Sequence, residues 1–123
     1  MKQKKILIAD DNANIRDALT YLLEDEGYEL LLAKDGAETI RKVRDHHPDI
    51  LFLDIMMPEL NGFDVCKTIK NDPLLRTTYV IMLTAKGQVA EQERGKEVGA
   101  DEYIVKPFSP MELLTKVKNI LHD

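Results

Sequence analysis

Ile50-Leu51-Phe52-Leu53-Asp54-Ile55-Met56-Met57-Pro58 is the stretch on which the fold of this chain turns. Four apolar residues in succession, with none of the alternation of a half-solvated strand, indicate a strand covered on both faces, as in a parallel sheet. The run delivers a carboxylate, Asp54, to its C-terminal edge, and the chain stays apolar beyond it. An unpaired charge is costly to desolvate there, so its position calls for a functional reason. Two further runs end alike, Ile6-Leu7-Ile8-Ala9 at Asp10-Asp11 and Tyr79-Val80-Ile81-Met82-Leu83 at Thr84. A third, Tyr103-Ile104-Val105, ends at Lys106. As parallel neighbours these strands place their terminal groups in one crevice, where open α/β sheets hold ligands.

Between the runs lie amphipathic stretches. Ile15, Leu19, Leu22 and Leu23 recur at helical spacing until Gly27, and Tyr28 to Ala33 reads as the second strand. Asp35-Gly36 opens a helix with Ala37, Ile40 and Val43 inward, closing at His46-His47-Pro48, where the proline forbids continuation. The two histidines suit the negative end of that helix better than a metal site. Another helix runs from about Gly62 to Asn71. In the last, Ser109 is the N-cap, Pro110 the first helical residue and Glu112 the capping-box partner. The helix expected over about 89–98 has few apolar anchors and an interior Gly95, which costs ~1 kcal/mol relative to Ala. A weakly held helix beside the crevice is a candidate switching surface.

At 123 residues the chain is one domain over 1–123, with no linker, repeat or low-complexity segment. A formal charge of -5 argues against direct nucleic-acid binding, which needs a basic face. No apolar run approaches a membrane span, and a single cysteine, Cys66, excludes an internal disulfide and fits a reducing compartment, so a cytoplasmic location is expected. Cys66 lies at core spacing between Val65 and Ile69, which reads as a buried inert thiol.

Three ionised carboxylates, Asp10, Asp11 and Asp54, within ~5 Å would repel by about 3 kcal/mol per pair at an effective dielectric near 20. A hard cation offsets this at neutral pH, and Mg²⁺ typically takes one or two carboxylates together with waters and phosphate oxygens. Asp54 then becomes a nucleophile that forms an aspartyl phosphate, Asp10 and Asp11 hold the metal, and Lys106 and Thr84 each bind a phosphoryl oxygen. Singly, each residue has a plain alternative: a helix cap for Asp11 or Asn12, a strand residue for Thr84, a surface lysine for Lys106. Their conjunction at four strand ends favours phosphoryl transfer.

Asp10-Asp11, Asp54-Ile55-Met56-Met57-Pro58-Glu59-Leu60-Asn61-Gly62, Thr84-Ala85 and Tyr103-Ile104-Val105-Lys106-Pro107-Phe108 resemble, in order and spacing, the receiver domain of two-component response regulators, the CheY-like family. The resemblance implies a doubly wound, flavodoxin-like α/β fold, with a five-stranded parallel sheet of order 2-1-3-4-5 and five helices. It implies that Asp54 accepts a phosphoryl group from a histidine kinase's phosphohistidine, or from a phosphotransfer protein. It also implies Mg²⁺ held by Asp11, Asp54 and the Met56 backbone carbonyl, with Asp10 acting through water, a switch pair of Thr84 and Tyr103, and a cis Lys106-Pro107 bond. Such a protein is a signalling switch and not an enzyme, catalysing only its own phosphorylation and dephosphorylation.

Leu83-Thr84-Ala85-Lys86-Gly87 and Gly99-Ala100-Asp101-Glu102-Tyr103 are most similar to regulators that dimerise through the helix near 89–98, the fifth strand and the last helix. There Asp101, Glu102, Glu112 and Lys116 are expected to supply charged cross-pairs, while Gln92 stands where a basic partner is expected. Output then passes to an attached domain or a downstream protein, with the chain acting alone or as part of a longer regulator. A phosphatase of the haloacid dehalogenase type would want a second acid where Met56 stands. A flavodoxin would want a neutral phosphate loop in place of Asp10-Asp11. A degenerate receiver, serving only for binding, would lack an acid or the lysine.

Overall fold

Strands β1 (Lys5–Ala9), β2 (Glu29–Ala33), β3 (Ile50–Asp54), β4 (Tyr79–Ala85) and β5 (Glu102–Lys106) form one parallel sheet in the order β2-β1-β3-β4-β5. Helices α1 (Ala13–Leu23), α2 (Gly36–His46), α3 (Gly62–Asn71) and α4 (Pro110–Leu121) connect and cover it. The computed structural model describes residues 3–85, 93–94 and 96–121. The helix expected over about 89–98 therefore lies largely outside the described residues, as do Lys86, Gly87 and Gln92; Glu93, Arg94, Lys96 and Glu97 are helical.

Strand alternation sends side chains to two apolar layers. Leu7, Leu51, Leu53, Val80 and Met82 meet Val43, Val65 and Ile69 on one face. Ile6, Ile8, Phe52 and Ile81 meet Leu19, Leu23, Leu113 and Val117 on the other. All five residues of β3 are buried, as its uninterrupted apolar run requires.

The helix starts are fixed by side-chain oxygens. Asn12 Oδ1 accepts from the Asn14 N–H at 2.8 Å, Asp35 Oδ1 from Glu38 at 2.8 Å, Asn61 Oδ1 from Asp64 at 3.0 Å and Ser109 Oγ from Glu112 at 3.3 Å. After α1 a single 3-10 turn, Glu24–Glu26, ends at Gly27 with φ 85°. At the end of α2, His47 takes a left-handed conformation, φ 48°, and its N–H bonds the Val43 carbonyl. The expected inward stripe of α2 is corrected. Gly36, Thr39 and Val43 are buried, Ile40 is half-buried and Ala37 is exposed. Gly36 turns inward because a Cβ there would lie 2.6 Å from that of Leu60.

Asp101, before β5, is tied within the molecule: its carboxylate accepts from the Val80 N–H at 2.8 Å and pairs with Lys70 at 2.6 Å. Glu102 is likewise bonded by Lys116 and by the Tyr79 hydroxyl. These two acids, expected as cross-dimer partners, are engaged within the chain. Arg94 stacks over the Phe63 ring at 4.6 Å, and Cys66 is fully buried with its Sγ 3.6 Å from the Val98 carbonyl. Burial pushes the Cys66 thiol up to about 11. Thiol reagents at pH 8 are therefore expected to label Cys66 only as fast as the domain opens, a rate that rises with urea. Labelling at the rate of a free thiol in the native protein would contradict its burial.

β2 is one edge of the sheet, and its leucines are only partly covered, Leu32 being exposed. The Lys42 ammonium on α2 donates to the Leu32 carbonyl. No helix among the described residues is long and apolar enough to cross a membrane.

Candidate functional site

The C-terminal ends of β1, β3 and β5 meet at a crevice of about 330 Å³, lined by Asp10, Asp11, Asn12, Asp54, Met56 and Lys106 among others. Asp10 leaves the sheet where the Asn12 cap begins α1, so the chain turns tightly: the Asn12 N–H donates to Asp10 Oδ1 at 2.9 Å. Asp10 is fully buried, Asp54 is 6% exposed and Asp11 faces the opening. One carboxylate oxygen from each lies within 4.8 Å of the others. The sequence expectation that these three acids converge is thus met in the structure.

Lys106 arrives from β5 and bridges two of them, its ammonium 2.9 Å from Asp10 Oδ2 and 3.3 Å from Asp54 Oδ1. The peptide after it, Lys106-Pro107, is cis. Burial, then the neighbouring Asp10 charge, push the Asp54 carboxyl up from 3.8 to about 6, although Lys106 and the Met56 N–H pull it down. Burial also works against the Lys106 ammonium, but the combined attraction of Asp10 and Asp54 outweighs it and holds the amine above its ordinary value. The crevice thus carries two more acids than its single lysine neutralises. Mg²⁺, taking oxygen ligands from one or two carboxylates, fits that donor set.

Thr84 ends the buried part of β4. Its hydroxyl is enclosed, 1% exposed, and bonded to nothing among the described residues. A buried hydroxyl without a partner is uncommon and marks a place where an acceptor is expected. Tyr103 is half-buried on β5, opposite Met82 in register, its ring packed on the same apolar layer. Met56 lies 71% exposed at the rim, its N–H 3.4 Å from Asp54 Oδ1. Two supports had escaped the sequence reading. Arg16 Nη1 donates to the Asp10 carbonyl at 2.7 Å, and Gly62 sits where a Cβ would lie 2.4 Å from the Asp54 carbonyl oxygen. Arg16 follows Asn12 by one helical turn, but that spacing alone does not say whether a long side chain folds back on the strand end.

Exchange of Lys106 for Met is expected to lower metal-free stability by about 2–3 kcal/mol in urea unfolding at pH 7, because Asp10 then stays buried without its counterion. Part of that loss should be recovered on adding millimolar Mg²⁺. An unchanged midpoint would mean that the bridge contributes nothing.

A sequence profile of the response regulator receiver domain matches residues 6–118. The chain belongs to the response regulator receiver domain family. Among related proteins, the alkaline phosphatase synthesis transcriptional regulatory protein PhoP of Bacillus subtilis is 43% identical over 96% of this chain and 48% of its own length. Protein PilG of Pseudomonas aeruginosa is 41% identical over 93% of this chain and 84% of its own. The receiver thus spans about half the length of PhoP. The solved chemotaxis response regulator CheY4 of Vibrio cholerae superposes with a TM-score of 0.89 at 33% identity, over 97% of this chain and 99% of that one. This receiver has the sheet order 2-1-3-4-5 of a flavodoxin-like domain.

Proposed function

We propose that this receiver takes a phosphoryl group onto Asp54 from the phosphohistidine of a histidine kinase or phosphotransfer protein. The observation that carries this reading is the Lys106 bridge across an acid cluster whose three carboxylates outnumber that one lysine by two. An Asp54 oxygen forms the new P–O bond as the P–N bond breaks, and the electron pair returns to the imidazole, which takes up a proton. Asp11, Asp54 and the Met56 carbonyl would hold Mg²⁺, with Asp10 acting through water. When bound, the ion neutralises charge on the phosphoryl oxygens. Lys106 holds one phosphoryl oxygen by its ammonium, and the unpartnered Thr84 hydroxyl donates to another. Its movement toward the phosphoryl group leaves space behind it that the Tyr103 ring fills.

The protein is then a switch in a two-component phosphorelay, acting on no substrate but its own aspartate. The surface that changes is the helix near 89–98 together with β5 and α4, and it passes the signal to an output domain or downstream protein, or pairs two copies. A cytoplasmic location, without direct contact to nucleic acid or membrane, agrees with the acidic charge.

Incubation with acetyl phosphate and Mg²⁺ is expected to add the mass of one phosphoryl group, and chelation of the metal to prevent it. Beryllofluoride with Mg²⁺ should raise the melting temperature and shift the amide resonances of Thr84 and Tyr103 in the wild type only. Equal thermal shifts in wild type and Asp54→Ala would refute the assignment.

A further inference from the structure

We infer that the trough between α2 and the loop after β3 is a docking site for an acidic amphipathic segment of another protein. It is an open concavity of about 340 Å³ whose apolar lining, here called its floor, is Ala37, Ile40 and Leu60, and whose charged lining is Arg41, Arg44 and Asp45. Its size lies at the lower end of ligand-site volumes, ~300–1000 Å³, but an apolar floor with few polar groups above it suits side chains better than a small molecule. The floor is only partly covered: Ala37 is exposed, Ile40 half-buried and Leu60 36% exposed.

Charge selects the occupant. The domain carries -5, so an acidic partner is repelled by most of its surface. Here two guanidinium groups stand beside apolar carbon. Arg41 is 64% exposed and only loosely paired, 3.7 Å from Glu38, and Arg44 has no ion-pair partner among the described residues. Carboxylates one helical turn apart meet both, since Arg41 and Arg44 are themselves three residues apart, while a leucine-type side chain between them enters the floor. Asp45, also in the lining, repels a further acid. The site is fixed in shape, because Leu60 is held against Gly36 and its N–H bonds the Pro58 carbonyl at 2.8 Å. A recessed floor disfavours a flat anionic membrane, which would need its apolar contacts on a convex face.

The test uses the whole unphosphorylated protein without Mg²⁺, so it stands apart from the phosphoacceptor assignment. The probe is a leucine–glutamate amphipathic helical peptide of roughly three turns, ~11 residues, titrated against ¹⁵N-labelled protein. Saturable shifts are expected at Ala37, Ile40, Arg44 and Leu60. Arg41→Glu with Arg44→Glu should weaken binding on the order of tenfold while keeping the wild-type circular dichroism, and the leucine–lysine counterpart of the peptide should bind that variant better than wild type. Absence of saturation, equal affinity in the reversed variant, or tighter binding to anionic phospholipid vesicles than to the peptide would overturn the proposal. So would a protein that dimerises through these residues on its own.

Discussion

Asp54→Asn is expected to abolish phosphoryl uptake and, at the same time, to make the metal-free domain more stable than wild type above pH 6. The first effect follows from loss of the nucleophilic oxygen, the second from the environment of the carboxylate. In the folded protein the Asp54 carboxyl is pushed up to about 6 by burial and by Asp10, against 3.8 for a free aspartate. Between those values the native state binds more protons than the unfolded chain, so stability falls as pH rises through the interval and levels off above it. A rise of about two units corresponds to roughly 3 kcal/mol. The amide must still be desolvated and gives up the Lys106 bond, so a gain of about 1–2 kcal/mol over wild type is expected at pH 8. At pH 4, where the wild-type carboxyl is already protonated in the fold, little difference should remain. Urea unfolding at the two pH values reads both. A variant less stable than wild type at pH 8 would show that the ionised Asp54 is no burden to the fold.

Gly62→Ala should be the most damaging single-methyl addition at the site. The new Cβ would lie 2.4 Å from the Asp54 carbonyl oxygen and 2.8 Å from the Ile55 Cα. Both are backbone atoms and cannot rotate away, so either α3 or the end of β3 must shift. Overpacking of this kind costs about 1–3 kcal/mol and occasionally more. The same shift moves the phosphoacceptor relative to Asp10 and Lys106, so phosphorylation by acetyl phosphate should slow by at least about tenfold in protein that remains folded. Gly27→Ala is the control. Nothing lies within 4 Å of its Cβ position, so only its left-handed backbone, φ 85°, is penalised, by roughly 1 kcal/mol with no change in phosphorylation rate. If the two variants behave alike, contact with the strand end is not what the glycine secures.

The sheet was legible because its strands announce themselves. Four consecutive apolar residues in β3 permit one environment only, and each of the runs ending at Asp10, Asp54, Thr84 and Lys106 carries its terminal group to the same edge. Caps at Asp35 and Ser109 were legible because a short oxygen-bearing side chain acts on its own neighbours. Long-range partners were not. Whether Asp101 faces a second copy or Lys70 of its own chain depends on where a flexible four-carbon stem reaches after folding. Ala37 was misplaced because small residues give little periodic signal, and α2 turns Gly36 inward to accept Leu60. Convergence of the acids was foreseeable from the strand ends, but the Lys106 bridge between Asp10 and Asp54 depends on the register in which β5 pairs with β4, which no local pattern encodes.

The amine on the rim of β2 has a bearing on how this protein survives at high concentration. A leucine-rich border strand with free backbone groups is a template onto which another chain can stack and propagate fibres. Lys42 occupies the outward Leu32 carbonyl with a charged group that an incoming strand would have to displace and strip of solvent. Neutralising that one lysine would leave the fold intact and remove its guard against aggregation.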